Sequence, residues 1–126
     1  MRFVNHIRKS EIVVKDKTHL AELILEHSRL TPHFVELVAD GNRAMMIGIG
    51  GNLCSVQYTV ESGRPPYLVA KGGFNGESDE VTEFMMEDTP TQVPKRLCIS
   101  LEQTLSIVMH FFENHEPLQT VEWESI

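Results

Sequence analysis

The chain has 126 residues, 41% of them hydrophobic and 23% charged, with six histidines, two cysteines and a formal net charge of −7. That length suits one domain, residues 1–126, large enough to bury a core, and the composition excludes the disordered and membrane-spanning classes. The charge is lopsided: residues 1–71 carry nine Lys and Arg against seven Asp and Glu, whereas residues 72–126 carry only Lys95 and Arg96 against eleven. So acidic a half repels phosphate, which argues against direct binding of nucleic acid or anionic membrane, and it attracts a basic partner.

The opening residues Met1 to Lys9 contain no apolar run that could form a signal-peptide core, so the expected location is the cytoplasm. Cys54 and Cys98, with no CxxC spacing, are expected there as two reduced, buried thiols. Glu11 to Val14 reads as a short strand. Asp16-Lys17-Thr18 offers side-chain oxygens to cap a helix, and Leu20, Leu23, Ile24 and His27 recur at the spacing of one helical face. Thr31-Pro32 ends it, giving a helix over 18–30.

From residue 34 to 86 the period is that of strands. Runs over 34–39 and 44–49 flank the turn Asp40-Gly41-Asn42, and Gly50-Gly51-Asn52 turns the chain again. Cys54, Val56, Tyr58 and Val60 alternate with Leu53, Ser55, Gln57 and Thr59, which predicts one core face and one half-wet face. Residues 61–66 read as a turn, 67–71 as a strand, Gly72-Gly73 as a break, and 80–86 as a strand whose Glu80 and Glu83 suit a sheet edge. Ser100-Leu101-Glu102-Gln103 is a capping box opening a second helix, with Leu101, Leu105, Val108 and Phe112 on one face and Ile107 and Phe111 widening it up to Asn114. A last strand over 120–124 sets Trp123 to seal the sheet against that helix. The fold class is α+β, an antiparallel meander sheet of about six strands packed with two main helices.

Few patterns carry chemistry. Gly48-Ile49-Gly50-Gly51-Asn52 is followed by a strand, where a phosphate-cradling loop needs a helix, so it reads as a hairpin turn. His110 and His115 are five apart and His19 and His27 eight apart, spacings that do not chelate one ion from one helical turn. No metal or other cofactor is expected. Cys54-Ser55 lies inside an alternating strand instead of at a nucleophile elbow, and Ser100 is occupied by capping, so no catalytic residue is assigned and the chain is not expected to be an enzyme.

The run from Glu77 to Asp88 places six carboxylates in twelve residues without a positive charge. It reads either as a solvated edge or as a surface that imitates a nucleic-acid backbone for a basic cleft. Met85, Met86, Phe74 and Tyr67 lie close by in sequence and could equally be interface anchors or core.

Ile99 to Gln103, the helix carrying Phe111-Phe112, Glu116-Pro117 and Val121-Glu122-Trp123-Glu124 resemble, in this order, the type-one immunity family of bacterial polymorphic toxin systems. Val56 to Val60, Gly63, Tyr67 to Lys71 and Gly72-Gly73 are similar to that family's central strands and glycine break, so the resemblance covers roughly residues 53–124. Pro65-Pro66 departs from the pattern. The resemblance implies a mostly antiparallel sheet with helices and a cognate secreted toxin as partner, often a nuclease or nucleic-acid deaminase, bound and silenced; the chain itself is expected as a monomer or weak dimer. It carries over no binding residue. From charge and exposure, the toxin-binding set is Arg64, Tyr67, Phe74, Asn75, Glu77, Asp79, Glu80, Glu83, Glu87 and Asp88. The alternatives are a small-molecule-binding domain or enzyme with a pocket near His27, His33 and Cys54, and a dimerisation module paired through its edge strand.

Overall fold

The computed structural model describes residues 1–39, 43–51, 53–61, 64–72 and 80–126, with the backbone alone at residues 61 and 64–66. In chain order the elements are β1 (Arg2–Asn5), β2 (Ser10–Val13), α1 (Lys17–Ser28), β3 (His33–Val38), β4 (Ala44–Ile49), β5 (Ser55–Glu61), β6 (Arg64–Lys71), β7 (Val81–Met86), β8 (Thr89–Pro94), α2 (Leu101–Asn114) and β9 (Glu122–Ser125), with a 3₁₀ turn over Lys95–Leu97. The strands form one sheet in the order β2-β1-β3-β4-β5-β6-β9, and the β7–β8 hairpin joins it at β3. Every pairing is antiparallel except the single parallel bridge His33–Met85. The α+β class stands, but the sheet has nine strands where about six are predicted.

β1 and β8 are the strands the pattern hides. β1 is only four residues long, and β8 contains Pro90 and Pro94, which cannot donate to a ladder but are tolerated because β8 pairs with β7 alone. For the same reason Arg64-Pro65-Pro66, expected as a turn, runs on as strand backbone: β9 covers β6 only from Leu68 to Lys71, which leaves that edge of the prolines outside any ladder. The predicted turns at residues 40–42, and Asn52, Ser62, Gly63 and Gly73, lie outside the described residues.

Both helices start as their caps require. Asp16 Oδ1 accepts from His19 N at 2.8 Å, and Ser100 and Gln103 close the capping box at both ends. α1 packs through Leu20, Leu23, Ile24 and His27, as expected. α2 is rotated from its expected face: Thr104, Ile107, Val108 and Phe111 are buried, while Leu101, Leu105 and Phe112 are only partly so. Thr104 tolerates this burial because its hydroxyl is satisfied on Ser100 O at 2.9 Å. The far end of α2 stops at His115 in a left-handed conformation, its carbonyl accepting from Arg43 Nη1 at 3.2 Å and Tyr58 Oη at 3.4 Å.

The helices cover one face of the sheet. Phe3, Leu37, Met45, Tyr58 and Leu68 form one row across neighbouring strands and Val35, Ile47, Val56, Ala70 and Trp123 the next. Trp123 is half-buried against this core and its indole donates to Leu118 O at 3.0 Å. The opposite face, expected to be half wet, is in part dry: Phe34, Ser55, Thr59 and Val69 are buried there. The β7–β8 hairpin covers it. Phe84, fully buried, packs on Phe34 with ring centroids 5.3 Å apart, and a Cβ at Gly48 would lie 3.0 Å from that ring. Gly72 has a similar role at the sheet's end, where an added Cβ would collide with the Cys98 carbonyl oxygen and sit 2.9 Å from Ile99 Cα.

Truncating the ring that anchors the hairpin tests this arrangement. Phe84→Ala is expected to lower the unfolding free energy in urea by about 3–5 kcal/mol, the usual cost of emptying a buried aromatic site. A loss under about 1 kcal/mol would mean the hairpin is not held by this contact.

Candidate functional site

Two places in the fold gather the residues that the sequence marks. The first is the β7–β8 hairpin. Met86 pairs with Thr89, so the turn has only Glu87 and Asp88 at its centre. Glu87 takes a left-handed conformation, φ 53°, at the first central position of a two-residue turn, where glycine or asparagine is the favoured residue. Glu83, Glu87 and Asp88 are exposed, and none pairs with a cation among the described residues.

Four other acids of the acidic half, Glu80, Glu113, Glu122 and Glu124, are answered locally. Lys95 Nζ holds Glu80 Oε2 at 3.0 Å across the open end of the same hairpin. Arg96 forms a forked bond to Glu124 at 2.9 and 3.1 Å, and Lys71 sits 3.3 Å from Glu124 and 3.9 Å from Glu122. The Arg96 bond, helped by Lys71, holds the Glu124 carboxyl below the usual range. Lys17 at the start of α1 pairs with Glu113 near the end of α2. Both cations of the acidic half are therefore engaged; of the exposed acids that none of these pairs answers, Glu83, Glu87 and Asp88 lie together on the hairpin, while Glu22 and Glu26 lie on α1, Glu102 on α2 and Glu116 just beyond it.

Of the ten expected interface residues, Glu80, Glu83, Glu87 and Asp88 share this hairpin. Tyr67 does not: it is half-buried on β6 opposite Thr59. Arg64 is placed only by its backbone, paired with Glu61. Phe74, Asn75, Glu77 and Asp79 lie outside the described residues. Of the nearby apolar residues, Phe84 is core and Met85 and Met86 are half-buried.

The second place is the buried pair His27 and His33. His27 Nδ1 lies 2.8 Å from His33 Nε2, and His33 Nδ1 lies 2.7 Å from Thr31 O. A carbonyl only accepts, so in the neutral pair His33 carries its proton on Nδ1 and His27 Nδ1 donates to His33 Nε2. Burial, with His33 and Arg8 adding to it and Glu26 opposing, holds the His27 pKa below the ordinary histidine value. His33 also lines a cavity of about 200 Å³ with Asn5, Ile7, Arg8, Leu30 and Thr31. Cys54 is not part of it. Continuing the β4–β5 register sets Cys54 opposite Ile49, which in turn faces His33, so the thiol lies two strands away, roughly 10 Å.

Cys54 and Cys98 are both buried free thiols whose pKa burial pushes up, with Thr104 and Thr82 as their respective hydrogen-bond partners, so neither is poised as a thiolate nucleophile. Among the described residues no three of His, Cys, Asp and Glu gather as a metal site, and no helix is long and apolar enough to cross a membrane. A second cavity of about 200 Å³ lies under the hairpin, bounded by Phe34, Ser55, Gln57, Val69, Val93 and Leu97 among others. The chain matches no protein-family model and no curated protein.

The histidine pair makes a pH-dependent prediction. The unfolded chain takes a proton on His27 near the ordinary value of about 6.5, which the folded chain refuses, so stability is full above that pH and falls as pH drops below it, levelling off below the folded pKa. Urea midpoints measured from about pH 7.5 down to about pH 5 are expected to decline, and His27→Asn, which keeps a donor facing His33 Nε2, is expected to flatten that decline. An unchanged slope in the variant would show that His27 is not the group responsible.

Proposed function

We propose that this chain is an immunity protein that binds a cognate secreted bacterial toxin, one acting on nucleic acid as a nuclease or deaminase, and neutralises it by stoichiometric occlusion in the cytoplasm, with no chemistry of its own. The observation that carries this reading is Glu87. A carboxylate occupies the one position of a tight hairpin turn that asks for glycine or asparagine, between two other exposed acids, on a hairpin clamped to the sheet by Phe84. Strain of this kind, about 1–2 kcal/mol for a side chain in the left-handed region, persists where the residue is kept for what it meets. The resemblance of residues 53–124 to the type-one immunity family points the same way.

The mechanism follows from charge and shape. Negative potential at the hairpin steers the protein onto a cleft built for phosphates and raises the rate of encounter. Exposed carboxylates contribute little net affinity once bound, so tight binding needs apolar anchors around them. Val81, 49% exposed on β7, and half-buried Met85 lie on the outer side of the same strand as Glu83 and are the available anchors.

The test uses a secreted toxin domain found encoded directly beside this chain. One equivalent of the protein is expected to abolish toxin activity; tight binding that leaves the toxin fully active would refute the mechanism. Glu87→Gly separates function from folding: it is expected to raise the unfolding free energy by about 1 kcal/mol by relieving the turn while slowing association with the toxin severalfold at low salt. A variant that is stabilised yet associates as fast as the parent would remove Glu87 from the interface.

A further inference from the structure

We propose that the cavity between the β1–β2 turn and the segment entering β3 is a binding site for a small aliphatic carboxylate, independent of the toxin-facing hairpin. Its lining combines one cation with apolar walls. Arg8 pairs with no carboxylate among the described residues, and its guanidinium presents the planar fork that matches a carboxylate. Ile7 and Leu30, 45% and 38% exposed, line the same cavity, so they keep apolar surface in water that a hydrocarbon chain would cover. Five of the eight exposed large hydrophobic residues among those described, Ile7, Ile12, Val13, Leu25 and Leu30, fall between residues 7 and 30.

The rest of the lining is already committed, which makes it rigid. Asn5 Oδ1 accepts from the amides of Ile7 and Arg8 at 3.1 and 3.2 Å and so shapes the turn that carries Arg8. Gly50 seats the opposite turn against the segment that supplies Leu30 and Thr31: at φ 107°, a Cβ there would lie 2.6 Å from Leu30 O and 2.8 Å from Pro32 Cα. His33 is tied at both nitrogens, to Thr31 O and to His27, so it forms part of the lining and leaves recognition of the anion to Arg8. A single unpaired guanidinium suits a monoanion better than a phosphate dianion. The volume of about 200 Å³ lies below the range of drug-sized sites, which favours a short chain.

The site is also coupled to the histidine pair. The charges acting on His27 are Glu26 from α1 itself, His33 from β3 and Arg8 from the β1–β2 turn. Arg8 opposes protonation of His27, and a carboxylate bound to Arg8 offsets that field, so proton and ligand favour each other's binding. Binding is accordingly tighter at mildly acidic pH than at neutral pH.

The experiment is a nuclear magnetic resonance titration of the full chain with butanoate, read at the Arg8 Nε–H and the His27 and His33 rings. Inorganic phosphate and butanol serve as the charged-only and apolar-only probes. Saturable shifts at Arg8 and His33 with butanoate, weaker ones with either control, and tighter binding at lower pH are expected. Arg8→Gln, on an exposed turn, is expected to weaken butanoate at least about tenfold, the loss of one charge-assisted bond, and Leu30→Asp, which sets a negative charge in the lining, to abolish binding. The proposal falls if butanoate gives no saturable shift, if phosphate binds as well as butanoate, or if Arg8→Gln binds like the parent. None of those results bears on toxin inhibition, which is read separately by the toxin assay.

Discussion

The ring of Phe84 fills the space that a side chain at residue 48 would take, and the position of the whole β7–β8 hairpin depends on that contact. Beyond it, the hairpin reaches β3 through little more than the His33–Met85 bridge and the Met85 N to Pro32 O bond at 3.1 Å, too little backbone pairing to orient it. The aromatic contact over Gly48 turns an extension of the sheet into a cover for its second face. A fully buried phenylalanine supplies about 1.5–3 kcal/mol from transfer out of water alone, enough to fix a short hairpin whose own turn is strained. The sheet is consequently buried on both sides at β3 and β4, by helices on one and the hairpin on the other.

This packing also decides where the charge goes. A net charge of −7 spread evenly would keep a small protein soluble and do little else. In the fold, Lys71, Lys95 and Arg96 draw Glu80, Glu122 and Glu124 into ion pairs at the base of the hairpin and the last strand. Surface pairs of this kind add little stability, but they remove three acids from the outward field and leave Glu83, Glu87 and Asp88 as the hairpin's own contribution to it. The opposite trend holds at the β1–β2 turn, where Arg8 has no acid partner among the described residues and lies beside a cavity with apolar walls. The chain thus presents two chemically different ends on one rigid sheet.

Much of the architecture was legible in the sequence where local rules are strong. The Asp16 cap of α1, the capping box of α2, the apolar face of α1, strand β4 and the alternation through Cys54, Val56 and Tyr58 all follow from side-chain spacing. Reading failed where tertiary contacts override spacing. Pro90 and Pro94 argue against a strand, and only pairing confined to one partner explains β8; Val60 continues an alternating pattern yet is 50% exposed. Thr104 lies on the buried face, which its polar side chain did not advertise and which one hydrogen bond to its own helix makes tolerable. For the candidate sites, sequence indicated that residues 77–88 are acidic but could not show that Lys95 neutralises Glu80, since the partner lies fifteen residues away. It grouped His27 and His33 with Cys54, where the sheet register inserts Ile49 between them, and it gave no sign of Arg8, which the β1–β2 turn brings beside them.

In the function proposed above, the β7–β8 hairpin is the surface that meets the toxin. Amide hydrogen exchange of this chain, alone and in complex with a toxin domain that it inhibits, tests this proposal. Strong protection in residues 83–89, with little change across α1 and β2, is the outcome the account requires. Protection confined to other segments, with the hairpin amides exchanging as fast in the complex as in the free protein, would contradict it.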